Sequence, residues 1–219
     1  MTAGRLVVWR HGRTEWNLDG RVQGQADVPL DSVGVAQARE AAARLASLNP
    51  VRIVSSDLSR AAVTAGELSR LTGVEVEYDE AMREINVGDW QGLTMEQVAE
   101  KFPDVAEIIT AGEMGIRDVR RGITGETLTE VAIRFGAALT RAVSKGVQGD
   151  TVVVVAHGLA ARVGITHWLG VPFEHWGAFG GLSNCAWSSL LLGRNGRWRV
   201  EEWNAGSLPE PVLSDDPQK

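Results

Sequence analysis

Residues 6–9 (Leu-Val-Val-Trp) and 151–156 (Thr-Val-Val-Val-Val-Ala) are short apolar runs rich in β-formers, and neither alternates as a half-exposed strand would. Such runs are expected of strands buried on both faces, the condition of a parallel sheet covered by helices on each side. Each run leads to a histidine followed by glycine, His11-Gly12 and His157-Gly158. A chain with this feature needs amphipathic helices between its strands, and the intervening sequence supplies them.

Val35, Ala38, Ala42, Leu45 and Leu48 recur at helical spacing, with Asp31 or Ser32 as start signals and Pro50 beyond the end. Residues 51–55 read as a second strand. Leu58, Ala61, Ala65, Leu68 and Leu71 then form a second helical stripe, with Ser56 and Asp57 as cap candidates and Gly73 as the stop. Residues 74–78 alternate apolar and acidic side chains, as on a strand near a sheet edge. Thr94 and Gln97 have capping-box spacing for a short helix over 95–101, broken by Pro103. Residues 104–124 show no clear period and carry Arg117, Arg120 and Arg121 among glycines, which suggests a lid over a site. A helix over 128–142 precedes the strand at 151–156, and another over about 159–169 follows it. Residues 185–192 and 198–203 flank Asn195-Gly196, a pair suited to a tight hairpin turn. The alternation predicts one α/β domain with a largely parallel sheet and helices on both faces, covering 1–207, and a solvated flexible tail over 208–219.

Composition excludes several functions. With 28 acidic against 22 basic residues, the net charge of −6 offers no footprint for nucleic acid or an anionic membrane, so an anionic ligand needs a local basic pocket. No apolar run is long enough to span a bilayer. The single cysteine, Cys185, reads as a small buried residue, and a reducing cytoplasm is the expected location. His167 and His175 flank an aromatic stretch and read as packing or surface residues. Of the eight tryptophans, Trp16, Trp90 and Trp176 fall in segments that could border a substrate pocket.

Ligands of open α/β sheets collect at the carboxyl ends of the parallel strands. His11 follows the first strand, Arg60 stands just beyond the second, Glu84 lies after the third, and His157 ends the fourth. With Arg10, this edge carries two imidazoles, two guanidiniums and a carboxylate. That set suits a phosphate monoester: arginine forks hold the non-bridging oxygens, and the helix start after His157 adds N–H donors. A neutral imidazole nitrogen attacks phosphorus, and Glu84 protonates the leaving alkoxide and then activates water. The scheme calls for no metal and no cofactor.

The ordered motifs Arg10-His11-Gly12-Arg13-Thr14 with Asn17, Ser55-Ser56-Asp57-Leu58-Ser59-Arg60-Ala61, Arg83-Glu84 and Ala156-His157-Gly158 resemble the histidine phosphatase superfamily, in its phosphoglycerate mutase-like branch. The resemblance implies a three-layer αβα sandwich with a mostly parallel mixed sheet. It implies His11 as phosphoacceptor, Glu84 as proton donor, and Arg10, Arg60, His157 and Asn17 around the phosphate. Gln23 and Gly24 match a loop beside the phosphate pocket in many members. Residues 84–92 look like the phosphatases, and the short segment before Gly125-Glu126-Thr127 lacks the insertion of cofactor-dependent mutases. Gly180-Gly181-Leu182-Ser183-Asn184 with Trp187, and residues 198–204, are similar to actinobacterial glucosyl-3-phosphoglycerate phosphatases. The expected ligand is a small phosphate ester, and relatives suggest a homodimer. The alternatives are a cofactor-dependent phosphoglycerate mutase and a non-catalytic phospholigand-binding protein.

Overall fold

A computed structural model of the chain describes residues 2–110 and 117–206. The expected tail at 208–219, and residues 111–116 of the expected lid, lie outside the described residues. A six-stranded sheet in the order β3-β2-β4-β1-β5-β6 organises the molecule. Its strands are β1 (Arg5–Arg10), β2 (Arg52–Ser55), β3 (Val76–Tyr78), β4 (Thr151–Ala156), β5 (Trp187–Leu192) and β6 (Trp198–Ala205). β3, β2, β4 and β1 run parallel, and β5 and β6 continue the sheet antiparallel.

The continuous apolar runs are explained by what covers them. Leu6, Val8, Val54, Val152 and Val154 face one cluster, built largely with α6 (Leu128–Ser144) and α7 (Gly158–Trp168). Val7, Trp9, Ile53, Val153 and Val155 face the other, with α2 (Ser32–Ala46) and α3 (Ser59–Thr72). β1, β2 and β4 therefore have a core on both sides, as the absence of alternation in the two longest runs required. The structure is the expected α/β sandwich.

Several helix ends match their sequence signals. Asp31 caps α2, accepting from Gly34 N at 2.7 Å, and Gly73 ends α3 in the left-handed region at φ 73°. The expected capping box Thr94/Gln97 opens α4 (Met95–Lys101), and the structure adds a second one, Thr127/Glu130, at the start of α6. The cap of α3 departs from expectation. Its N-cap is Leu58, with no side-chain cap bond, and Asp27 Oδ1 accepts from Ser59 N at 2.7 Å. Ser56 and Asp57 are engaged elsewhere, as described below.

Two further expectations are corrected. Pro103 does end α4, but it also begins α5 (Pro103–Thr110), because the first turn of a helix needs no N–H from its first residue. Trp90 and Trp176 are 3% and 5% exposed and belong to the core rather than to a pocket rim. The β5–β6 connection is the expected tight hairpin around Asn195-Gly196: Gly193 N donates to Arg197 O, Gly196 N donates to Gly193 O, and Gly196 takes φ 73°. Cys185 is buried, and burial pushes its thiol up to about 12. His167 and His175 are exposed.

Candidate functional site

β1 delivers His11 into a tightly built turn. The His11 N–H continues the ladder to Ala156 O at 3.0 Å, so the residue starts from a position fixed by β4. The next residue must be glycine, since a Cβ on Gly12 would lie 2.3 Å from Gly34 O. The Gly12 N–H donates to Thr64 Oγ1 at 3.1 Å, and that hydroxyl donates to Arg60 O at 2.7 Å. The turn is thereby tied to the first turns of α3.

Within this turn the His11 Nδ1 lies 2.7 Å from Gly12 O. A carbonyl only accepts, so Nδ1 carries the ring proton and Nε2 keeps its lone pair. His11 is 3% exposed. Burial first, then Arg60 and Arg10, hold it well below the usual histidine range, which keeps the imidazole neutral and nucleophilic.

His157 is fully buried at the end of β4 and caps α7. Its Nε2 meets Ser56 Oγ at 2.9 Å, and that oxygen also accepts from Leu58 N at 3.3 Å. The other ring nitrogen, Nδ1, is buried and has no hydrogen-bond partner among the described residues. Burial, Arg60, His11, Arg10 and Arg134 all lower its basicity. The two rings stand 5.1 Å apart between centroids, tilted by 57°.

Arg10 and Arg60 are 3% and 1% exposed. Arg10 Nη1 donates to Leu182 O at 2.6 Å, and the absence of a side chain at Gly158 lets its guanidinium lie against the first turn of α7. Arg60 donates from Nη1 to Ala26 O at 2.6 Å and from Nη2 to Gly24 O at 2.7 Å. Gly24 takes φ 52° with Val87 pressed against it, which fits it to hold that carbonyl toward Arg60. Gln23 is buried, and its Oε1 lacks a partner among the described residues.

Asn17 closes the other side. Its Oδ1 accepts from Thr14 N, Thr14 Oγ1 and Asn184 Nδ2, each within 3.2 Å, and its buried Nδ2 has no hydrogen-bond partner among the described residues. Asn184 Nδ2 also reaches His11 O at 3.2 Å. This carboxamide thus joins Asn17 to the histidine turn.

Glu84 reaches the site from the segment after β3. Its Oε1 accepts from Ile85 N and Ala160 N, both at 2.8 Å, and its Oε2 from Leu159 N at 3.1 Å. The carboxylate therefore sits on the N-terminal turn of the helix that His157 caps, where N–H groups are unclaimed by the helix. Arg83 turns away from Glu84 and forms a two-pronged pair with Asp57, which holds the Asp57 carboxyl below the usual range.

The structure thus brings His11, His157, Arg10 and Arg60 into one electrostatic neighbourhood. Asn17 joins it through Asn184, Glu84 through α7, and Gln23 and Gly24 flank Arg60. Sequence reasoning missed Ser56 as a histidine partner, although it had quoted that residue as a helix cap. It also missed Thr64, whose spacing of four from Arg60 puts it on the same helix face, and Asn184, Glu126 and Arg134. Among the described residues no group of three or more His, Cys, Asp or Glu side chains is arranged to hold a metal ion. No described helix is long and apolar enough to cross a membrane.

The model of the histidine phosphatase superfamily, branch 1, matches residues 6–206. The chain belongs to this superfamily. A glucosyl-3-phosphoglycerate phosphatase of Mycobacterium tuberculosis (strain H37Rv) is 35% identical over 225 aligned residues, covering 94% of this chain and 97% of the relative. The native structure of mycobacterial glucosyl-3-phosphoglycerate phosphatase superposes with a TM-score of 0.83 at 35% identity, covering 93% of this chain and 99% of that one. A probable phosphoglycerate mutase of Escherichia coli O6:K15:H31 is 32% identical, covering 77% of this chain and 76% of the relative. The superfamily member described here is a phosphoric monoester hydrolase.

Proposed function

We propose that this hydrolase releases phosphate from a small phosphorylated metabolite in two steps through a phosphohistidine on His11, without a metal ion. His11 Nε2 attacks phosphorus as the P–O ester bond breaks, and Glu84 gives its proton to the leaving oxygen. Glu84 then takes a proton from the water that displaces His11. Arg10, Arg60, His157 Nδ1 and Asn17 Nδ2 hold the transferring group, and Gln23 and Gly24 border it. The observation that carries this reading is the 2.7 Å bond from His11 Nδ1 to Gly12 O, which commits the proton to one nitrogen and leaves the other free to attack.

Glucosyl-3-phosphoglycerate is the favoured substrate. Support comes from relatives of that name aligned over 94% of the chain, and from a structural neighbour crystallised with VO3 at 36% identity. The test is phosphate release from glucosyl-3-phosphoglycerate and a panel of sugar and glycerate phosphates, by the parent and by His11→Ala, with and without chelator. Release by the parent that is lost in His11→Ala and indifferent to chelator is expected. Full activity in His11→Ala would sink the mechanism. The relative named as a probable mutase supplies a second reading, and isomerised product exceeding free phosphate would favour it. We also infer a cytoplasmic homodimer. Light scattering at micromolar concentration, giving twice the 23.6 kDa chain mass, is the expected result for the dimer.

A further inference from the structure

Arg134 lies on α6, 50 residues beyond Glu84, yet each of the five N–H donors of its guanidinium has an acceptor around the segment that carries Glu84. Nε donates to Glu126 Oε1 at 2.7 Å and Nη2 to Glu126 Oε2 at 2.8 Å. The remaining donors go to main-chain carbonyls: Nη1 to Ala81 O at 2.9 Å and Arg83 O at 2.7 Å, and Nη2 to Glu84 O at 2.9 Å. Glu126 completes the clamp, accepting from Asn86 N at 2.8 Å through Oε2 and donating from its own N–H to Asn86 O at 2.7 Å.

The pair therefore holds the chain on both sides of Glu84, at 81, 83, 84 and 86. That stretch runs through two 3-10 turns, Glu80–Met82 and Gly88–Trp90, and has no strand neighbour to fix it. A planar guanidinium locked by a two-pronged carboxylate imposes one orientation on the acceptors it meets. Both side chains are about one-fifth exposed, so water competes only partly for these bonds.

We propose that Arg134, locked by Glu126, is a positioning residue for proton transfer: it sets where the Glu84 carboxyl stands as the P–O ester bond breaks. This rests on the reading of Glu84 as proton donor. In that step the His11 Nε2 lone pair forms the N–P bond, the P–O electron pair moves to the leaving oxygen, and the Glu84 proton follows it. A p-nitrophenolate leaves well without that proton, whereas an alkoxide does not. Misplacing Glu84 must therefore be felt selectively.

The experiment measures kcat/KM, which excludes the later hydrolysis of phosphohistidine, on p-nitrophenyl phosphate and glycerol phosphate, with orthovanadate inhibition reporting the phosphate pocket. Glu84→Gln is expected to lose about 10²-fold on glycerol phosphate and less than about tenfold on p-nitrophenyl phosphate. Arg134→Lys should show the same split, with a loss of roughly 10–10²-fold on glycerol phosphate and vanadate inhibition within about threefold of the parent. Glu126→Gln should follow it more weakly. The double variant Glu84→Gln/Arg134→Lys should match Glu84→Gln alone within about threefold, because the second residue acts through the first. Equal losses on both esters with weakened vanadate inhibition, or additive losses in the double variant, overturn the proposal. A split in Glu84→Gln that is absent from Arg134→Lys overturns it while leaving the proton donor intact. No split in Glu84→Gln defeats the underlying reading instead. If Arg134→Lys does not fold, Glu126→Gln decides by the same criteria.

Discussion

His11 and His157 stand at the ends of adjacent, hydrogen-bonded strands, whereas Glu84 stands among short 3-10 turns whose carbonyls are gripped by a side chain. The histidines take their positions from the sheet ladder, from two apolar clusters and from close backbone approaches. Glu84 takes its position from one ion pair and three N–H groups. The imidazoles are thus set by the core, and the carboxylate is set by a few exchangeable side chains.

The sharpest way to break this contrast is to strain the strand end. Gly12→Ala places a Cβ on Gly34 O, main chain against main chain, and should cost about 3 kcal/mol of stability together with most activity. A urea midpoint equal to the parent's would refute the rigidity claimed for this turn.

The next effect comes from acid. Both buried histidines have folded pKa values depressed below the ordinary 6.5, so below about pH 6.5 the unfolded chain binds protons that the folded chain does not. Their effect on stability is nil above that pH and increasingly unfavourable below it, until the folded pKa values are reached. Going from pH 7 to 5.5 should therefore lower the unfolding free energy. Denaturant melts of His11→Gln should show a shallower decline, and an equal slope in that variant would count against the assignment.

A smaller change is expected when Ser56→Ala removes the partner of His157 Nε2, about 1–2 kcal/mol in stability. Loss of the ring's anchor should also lower kcat/KM by roughly tenfold. Measuring both shows whether ring position matters to turnover beyond its part in stability. The smallest effect belongs to Asp57→Asn, which weakens a pair whose side chains are 28–29% exposed, and less than about 1 kcal/mol should follow. A loss comparable to that of Gly12→Ala would mean that the segment after β3 is as rigidly founded as the strands.

The same contrast separates what was legible in the sequence from what was not. His11, His157, β1 and β4 could be read because burial on both faces writes an unbroken apolar run, and a polar residue at its end stands out. Arg60 and Glu84 were found by their positions after strands. The support of Glu84 was invisible, since Leu159 and Ala160 lie 75 and 76 residues further on and bind it through main-chain atoms that carry no sequence signature. Local chemistry offers Ser56 and Asp57 as helix caps. Tertiary partners, a buried imidazole and Arg83, claimed them instead. Pro103 was read as a break because its restriction on the preceding turn is the same whether or not a new helix begins there.

Residues Arg10 and Ala156 are paired in register in adjacent parallel strands, and each is followed by one of the two histidines. Their ring separation of 5.1 Å is close to the spacing of neighbouring strands, about 4.8 Å. The distance between the two imidazoles is therefore a dimension of the sheet itself. A one-residue slip of β4 would carry His157 along the strand and, in the same movement, exchange Val152 and Val154 for Val153 and Val155 between the two cores. Imidazole spacing and hydrophobic pattern share a single ruler, so an error in one is exposed as misfolding in the other.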